Sequence, residues 1–141
     1  MEPIWLEIAE DEMEVAEVSG PEANPRIVEY LQSTSLGFPY NESDETPWCS
    51  AFVNWVITQA GLDGTDSAWA RSWLNWGRKA VAGEFYGAIC VLKRGKSSGH
   101  VGFLTAWDDD SVTLLGGNQS NEVCEAIFDA DRVLGYRVPE V

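Results

Sequence analysis

Two side chains of this sequence have the chemical types needed for nucleophilic catalysis by a thiol. Cys49 follows a loop ending in Pro47 and opens the apolar stretch CSAFVNWVITQAG, which is typical of a helix. At the amino terminus of a helix, the macrodipole favours the thiolate, which is the reactive form of cysteine. The backbone N–H groups of the first turn also suit the stabilisation of an oxyanion. The alternative interpretation is that Cys49 is a small buried residue without chemistry.

The only histidine, His100, is the candidate partner of this thiol. It follows Gly99 and begins the segment HVGFLTAW, whose composition is typical of a strand. An imidazole at the mouth of a strand is well placed to act as a base towards a side chain of another element. An exposed loop histidine without a function is the alternative. Together, Cys49 and His100 predict a thiolate–imidazolium pair.

A base of this kind usually needs a third group that holds its ring. Asn118 and Gln119 end the strand predicted after the turn Asp108–Asp110. In an antiparallel hairpin, that end returns close to His100. We prefer Asn118 as the orienting acceptor and keep Gln119 as the alternative. A glycine-rich turn with polar residues would also explain this segment.

The elements that must position these residues are helices followed by strands. Residues 3–17 have helical periodicity with an acidic outer face, Asn24-Pro25 predicts the cap of a second helix, and Ser67–Gly77 predicts another helix after that of Cys49. The polar segment 37–47 predicts an exposed loop. Past Gly83, the runs GAICVLKRG, HVGFLTAW, SVTLLGG and VCEAIF predict strands.

This order indicates an α+β domain, with helices packed on an antiparallel sheet of four to five or more strands. We expect one catalytic domain over residues 1–141, a length that suits a single domain. Its expected parts are an acidic amino-terminal helix over 1–20, a helical part with the nucleophile over 24–77 and the sheet over 84–141.

Composition excludes several classes of function. The formal net charge of −14 would repel a nucleic-acid backbone. No run of apolar residues is long enough for a membrane helix, and no secretory signal is recognisable. One histidine without a close cysteine pair argues against a zinc site, and no metal or cofactor is expected. Cys90 and Cys124 lie in predicted neighbouring strands, where a disulfide is conceivable but unsupported.

Several aromatic and polar residues have structural or binding interpretations. Trp69, Trp73 and Trp76 recur at helical spacing, and such a stripe is more often core than ligand platform. Trp48 and Ser50 flank the nucleophile and are the candidates for lining a substrate cleft. In a further helix, Arg71 is expected to pair with a buried acid or a carbonyl.

The stretches NPRIVEYL, TPWCSAFVNWV, ARSWLNWG, GHVGF and LLGGNQ resemble the CHAP (cysteine, histidine-dependent amidohydrolase/peptidase) and NlpC-type cell-wall peptidases. More closely, they resemble a small phage-associated and bacterial group of that clan, from about Asn24 to Pro139. The resemblance implies a papain-like fold and hydrolysis of amide bonds in peptidoglycan peptides without a cofactor. It also implies that Cys49 is the nucleophile, His100 the general base and Asn118 the orienting residue.

One departure from the NlpC-type signature bears on bond specificity. That signature has Asp-Cys-Ser-Gly around the nucleophile, whereas this chain has Trp-Cys-Ser-Ala at 48–51, nearer the CHAP side. The implied activity is that of a peptidoglycan endopeptidase or an N-acetylmuramoyl-L-alanine amidase. The alternatives are an acyl transferase on the same scaffold and a catalytically silent module that binds the wall or a partner.

The expected place of action is the cell wall. Without a recognisable signal, the protein would reach the wall by a phage lysis route or a dedicated secretion machine. If it is a toxin for rival cells, the producing cell needs a cognate inhibitor, which the acidic surface could contact.

Overall fold

Helices precede strands along the chain, as the sequence pattern predicts. The structure, a computed structural model, describes residues 2–18, 23–35, 47–96 and 98–140. Its helices are α1 (Ile4–Glu10), α2 (Pro25–Gln32), α3 (Cys49–Gln59) and the short 3-10 helices Ala70–Asn75 and Ala130–Arg132. Its strands are β1 (Arg78–Lys79), β2 (Ile89–Lys93), β3 (Gly99–Trp107), β4 (Ser111–Gln119), β5 (Glu122–Asp129) and β6 (Val133–Val138). The predicted loop at 37–47 lies almost entirely outside the described residues.

The strands form one antiparallel sheet in the order β1-β6-β2-β3-β4-β5. The α+β class and the antiparallel sheet are thereby confirmed. The sequence pattern missed β6, which lies between β1 and β2, because VLGYRV interrupts its apolar positions with glycine and arginine. No helix in the described parts of the chain combines the length and apolar character needed to cross a membrane.

Helices α2 and α3 begin and end where the sequence signals predict. The Asn24 side chain accepts a hydrogen bond from the Arg26 N–H at 2.8 Å, and Pro25 is the first helical residue of α2. Helix α3 is followed by Gly61 with a φ of 84°, the left-handed conformation that glycine adopts readily after a helix.

Helix α1 is shorter than the helix predicted over residues 3–17. Beyond its end, Ala16 forms an antiparallel bridge with Glu122 of β5, and the Val123 N–H donates to the Val15 carbonyl at 2.7 Å. Pairing with the sheet therefore replaces the helical hydrogen bonds that the periodicity predicts.

The predicted helix over Ser67–Gly77 also needs correction, because only Ala70–Asn75 is helical and it is a 3-10 helix. Such a helix has three residues per turn, so residues four and seven apart do not share a face. Trp73 is fully buried, whereas Trp69 is 53% exposed and Trp76 is partly buried. The expected core position therefore holds for Trp73 and in part for Trp76, which packs against the core, but not for Trp69.

Two hydrophobic clusters lie on the two faces of the sheet. The first, between the helices and the sheet, includes α3 together with Val101, Phe103, Leu115 and Val123 of β3, β4 and β5. The second contains Cys90, Leu92, Leu104, Val112 and Leu114, with Phe85, Phe128, Val133 and Tyr136 packed against it.

The three cysteines are free. Cys90 lies on β2 and Cys124 on β5, and these strands are separated by β3 and β4. The prediction that they occupy neighbouring strands is therefore wrong, because the sheet order cannot be read from the order of strands along the chain. Burial raises the pKa of the Cys90 thiol to about 12.

Gly117 of β4 allows the sheet to approach the start of α3 closely. A Cβ atom at this position would lie 2.6 Å from the Trp48 ring and 2.8 Å from the Phe52 Cβ. We expect Gly117→Ala to lower the free energy of unfolding by about 1–3 kcal/mol, measured by urea denaturation, because the added methyl group overpacks the core.

Gly135→Ala is the matched control for this substitution. Its added Cβ would meet only the end of the flexible Leu74 side chain, at 3.2 Å. Equal losses of stability in the two variants would show that the close approach at Gly117 is not a constraint.

Candidate functional site

Cys49 is the first residue of α3 and is 5% exposed. Burial raises the pKa of its thiol above the ordinary value, although hydrogen bonds from the backbone of Val101 and Ser50 and the charge of Arg94 favour the thiolate. The sequence predicts that the start of the helix favours the thiolate, but in the folded protein burial outweighs this effect. Cys49 is therefore a neutral thiol in this structure.

His100, near the start of β3, is 3% exposed and is held by Gln119. The distance between His100 Nε2 and Gln119 Oε1 is 2.8 Å. Sequence analysis preferred Asn118 for this contact and kept Gln119 as the alternative. The hydrogen bond to the imidazole is made by Gln119.

The hydrogen bonds of Gln119 determine the tautomer of His100. The side-chain amide of Gln119 donates from Nε2 to the Leu114 carbonyl at 3.1 Å and to the Cys124 carbonyl at 2.7 Å. Its Oε1 atom must then accept from the ring, so His100 Nε2 carries the proton. The other ring nitrogen, Nδ1, is left with a lone pair and can act as a base.

Burial is also the main influence on the charge of His100. It lowers the pKa of the imidazole to about 4; the hydrogen bond with Gln119 opposes this shift, and the charges of Arg94 and Arg132 add to it. At neutral pH the ring is therefore uncharged. The predicted thiolate–imidazolium pair is replaced in this structure by a neutral thiol and a neutral imidazole.

Cys49 contacts β3 on the face covered by α3, whereas the side chain of His100, itself a residue of β3, lies on the opposite face. The sulfur of Cys49 interacts with the backbone of Val101, the residue directly after His100. Successive side chains of a strand point to opposite faces, and Val101 belongs to the cluster around α3. The His100 ring packs instead on Phe128, with ring centroids 5.3 Å apart. Among the described residues, no hydrogen bond joins the thiol to the imidazole.

The end of β4 is bent so that Gln119 points at His100. The register between β4 and β5 shifts between Gly116 and Gln119, which marks a bulge. Asn118 has a φ of 59°, in the left-handed region that asparagine tolerates better than most residues. Asn118 thus provides the backbone turn, and Gln119 provides the side chain.

The expectation that Trp48 and Ser50 line a substrate cleft needs correction, because both are fully buried. Trp48 Nε1 donates to the Glu17 carboxylate at 2.9 Å. Ser50 Oγ donates to the Ser67 carbonyl at 2.7 Å and accepts from Trp73 Nε1 at 2.9 Å. Both side chains are therefore hydrogen-bonded parts of the protein interior beside Cys49.

Arg71 meets one of its two predicted kinds of partner. Its Nε atom donates to the Ser98 carbonyl at 3.0 Å, and its Nη2 atom donates to the Gly95 carbonyl at 2.6 Å. It thereby ties the 3-10 helix to the loop that leads into β3 and His100.

Sequence reasoning missed three residues that surround the imidazole: Arg94, Phe128 and Arg132. They line a pocket of about 190 Å³ together with His100 and the end of β4. No local motif marks them, because they come from a loop, a strand and a short helix that meet only in the folded chain. Within the described ranges, no group of three or more histidine, cysteine or acidic residues could hold a metal ion.

Comparisons with known proteins agree with this architecture. A family profile for the CHAP domain matches residues 41–118. A crystal structure from Staphylococcus aureus subsp. aureus Mu50, of a protein described as similar to a lipoprotein of the NLP/P60 family, superposes with a TM-score of 0.51 and 15% sequence identity. The alignment covers 96% of this chain but 40% of that protein, so it shows a common fold. No protein of curated function is significantly similar in sequence.

The buried state of His100 can be tested by NMR, because a single histidine gives one assignable set of ring signals. We expect these signals to change little between pH 5 and 7.5 in the folded protein, because the pKa is lowered to about 4. In urea, the same signals should titrate near the ordinary value of about 6.5.

The same shift couples His100 to stability. The folded protein binds this proton less readily than the unfolded chain, so the contribution to stability is complete above the unfolded pKa and is lost as the pH falls through the folded pKa. Titration of the folded protein near pH 6.5 would contradict the burial described here.

Proposed function

Because this chain belongs to the CHAP-domain family, we propose that it hydrolyses amide bonds in peptidoglycan peptides, with Cys49 as nucleophile and His100 as general base. The matched segment covers more than half of the chain and contains both residues. The position of Cys49 supports this assignment of roles. Cys49 begins a buried helix, and its thiol interacts with the backbone of Val101. Val101 directly follows His100, whose ring is oriented by Gln119.

The reaction begins from a neutral pair. His100 Nδ1 has the lone pair needed to accept the thiol proton, and a neutral imidazole is available throughout the neutral pH range. For this transfer, Cys49 Sγ and His100 Nδ1 have to come together from different faces of β3, and we assign that rearrangement to substrate binding. Many catalytic hydrogen bonds tighten only when the substrate is present.

The thiolate then attacks the carbonyl carbon of the amide. The Cys49 N–H lies in the first turn of α3, where N–H groups have no acceptor within the helix, and it is one donor for the resulting oxyanion. Protonated His100 gives its proton to the leaving amine, and the acyl group stays on sulfur as a thioester. Water, deprotonated by His100, hydrolyses the thioester and restores the thiol.

In this mechanism Gln119 is a positioning residue that acts through His100. Its amide oxygen fixes the tautomer with the proton on Nε2, and its own orientation is fixed by two backbone carbonyls. The developing imidazolium keeps this hydrogen bond. We therefore assign the orienting role to Gln119 and a backbone role to Asn118.

Digestion of purified peptidoglycan tests the proposed activity. We expect the wild type to release fragments and Cys49→Ala to release none, because the thioester cannot form without the sulfur. Cys90→Ala is the matched control, since Cys90 is a free, buried thiol of the second cluster and should keep most of the activity.

The masses of the fragments identify the chemistry. A gain of one water per cut indicates hydrolysis, whereas products joined to an added amine indicate acyl transfer. Equal release by the wild type and Cys49→Ala would contradict the assignment of the nucleophile, and no release by either would contradict the substrate class.

Substitution at the two adjacent polar residues separates their roles. We expect Gln119→Ala to lower kcat by roughly tenfold to a hundredfold, because the ring loses its orienting acceptor. Asn118→Gly should keep kcat within about threefold, because glycine readily adopts the left-handed backbone of this position.

The NMR signals of His100 distinguish positioning from general damage. In Gln119→Ala the signals should change while the remaining spectrum stays folded, and in Asn118→Gly they should be retained. A larger loss of kcat in Asn118→Gly than in Gln119→Ala would return the orienting role to Asn118.

A further inference from the structure

We propose that the pocket beside His100 binds a carboxylate group of the substrate, through Arg94 and Arg132. This inference rests on the proposed function and narrows its substrate class. The pocket has a volume of about 190 Å³. Arg94 and Arg132, which come from separate elements, both line it, and guanidinium groups are well suited to carboxylates.

Arg132 is held through its Nε atom, and its outer nitrogens have no hydrogen bond to another described residue. Its Nε atom donates to the Lys93 carbonyl at 3.1 Å, and its guanidinium lies 5.2 Å from the centroid of the Phe128 ring. The Phe128 ring also contacts His100, with a centroid distance of 5.3 Å. Phe128 therefore lies between the Arg132 guanidinium and the His100 imidazole.

Arg94 lies at the same opening and is exposed. Its charge acts on both Cys49 and His100, as the directions of their pKa shifts indicate. Among the described residues, the ion pairs of arginine involve Arg26 and Arg78 only. Within the described ranges, neither Arg94 nor Arg132 has such a pair.

This local charge contrasts with that of the whole chain. There are 9 basic residues against 23 acidic ones, and the net charge is −14. Two positive charges beside a buried histidine of an acidic protein also disfavour the imidazolium that the reaction forms. A bound carboxylate would offset both charges, so substrate binding and protonation of His100 would support each other.

The pocket opens on the face of the sheet that holds the His100 ring, whereas Cys49 lies on the face covered by α3, because His100 and Val101 are successive residues of β3. The scissile amide has to contact Cys49. A carboxylate held by Arg94 and Arg132 therefore belongs to a part of the substrate beyond that amide.

Binding can be measured without turnover in the Cys49→Ala variant. We would titrate it with N-acetylglycine, which carries a carboxylate on the amine side of an amide, and with N-acetylglycinamide, which lacks the charge. We expect a saturable change of the His100 NMR signals with the acid and at least a roughly tenfold weaker effect with the amide.

Charge-matched variants locate the site. In the Cys49→Ala background, both Arg94→Gln and Arg132→Gln should weaken binding of N-acetylglycine. Lys79→Gln removes one charge from β1, away from the pocket, and should leave binding unchanged. Equal binding of the acid and the amide, or equal weakening in all three variants, would overturn the proposal.

A second experiment uses turnover on peptidoglycan before and after its carboxyl groups are converted to amides with a carbodiimide and ammonium. We expect amidation to slow Cys49-dependent release by roughly tenfold for the wild type and little for Arg94→Gln. Release that is insensitive to amidation would refute the subsite and leave the hydrolase intact. If no Cys49-dependent release occurs from either material, the proposed function fails, and the N-acetylglycine titration still decides the subsite.

Discussion

The burial of the first turns of α3 determines the environment and the charge of Cys49. Every residue from Cys49 to Ile57 is buried, between the other helices on one side and β3 and β4 on the other. Water cannot solvate a charge there, so the Cys49 thiol is held neutral, and burial against Phe128 on the other face of the sheet has the same effect on the His100 imidazole. The polar groups around them are paired within the protein instead, as Ser50 shows with its two hydrogen bonds. The Cys49 thiol and the His100 imidazole are therefore both uncharged at neutral pH in the folded protein.

The parts of this site that local patterns specify could be predicted from the sequence. Apolar spacing and a terminal glycine indicated α3, and glycine followed by an apolar run indicated the strand of His100. The choice between Asn118 and Gln119 could not be predicted, because it depends on a bulge and a left-handed backbone at Asn118 that place the next side chain inward. The two residues are equally polar, and only the path of the chain separates them.

Features that depend on the order of the strands in the sheet could not be predicted from the sequence pattern. Strand β6 enters the sheet between β1 and β2, which brings Arg132 close to the end of β2 and to Arg94. The separation of Cys90 from Cys124 has the same origin. Likewise, the pattern showed that His100 begins a strand, but not which face of the sheet its ring would occupy. These properties arise from long-range packing, which overrides local preference.

The bridge between Ala16 and Glu122 has a consequence for association between molecules. Strand β5 is the last strand in the sheet order, and an edge strand presents unpaired backbone groups that can recruit a strand from another copy. The amino-terminal segment occupies the beginning of that edge, and further along it the charged Glu125 side chain is exposed. The stretch of this edge nearest His100 is thus closed to intermolecular β-pairing by the protein's own chain.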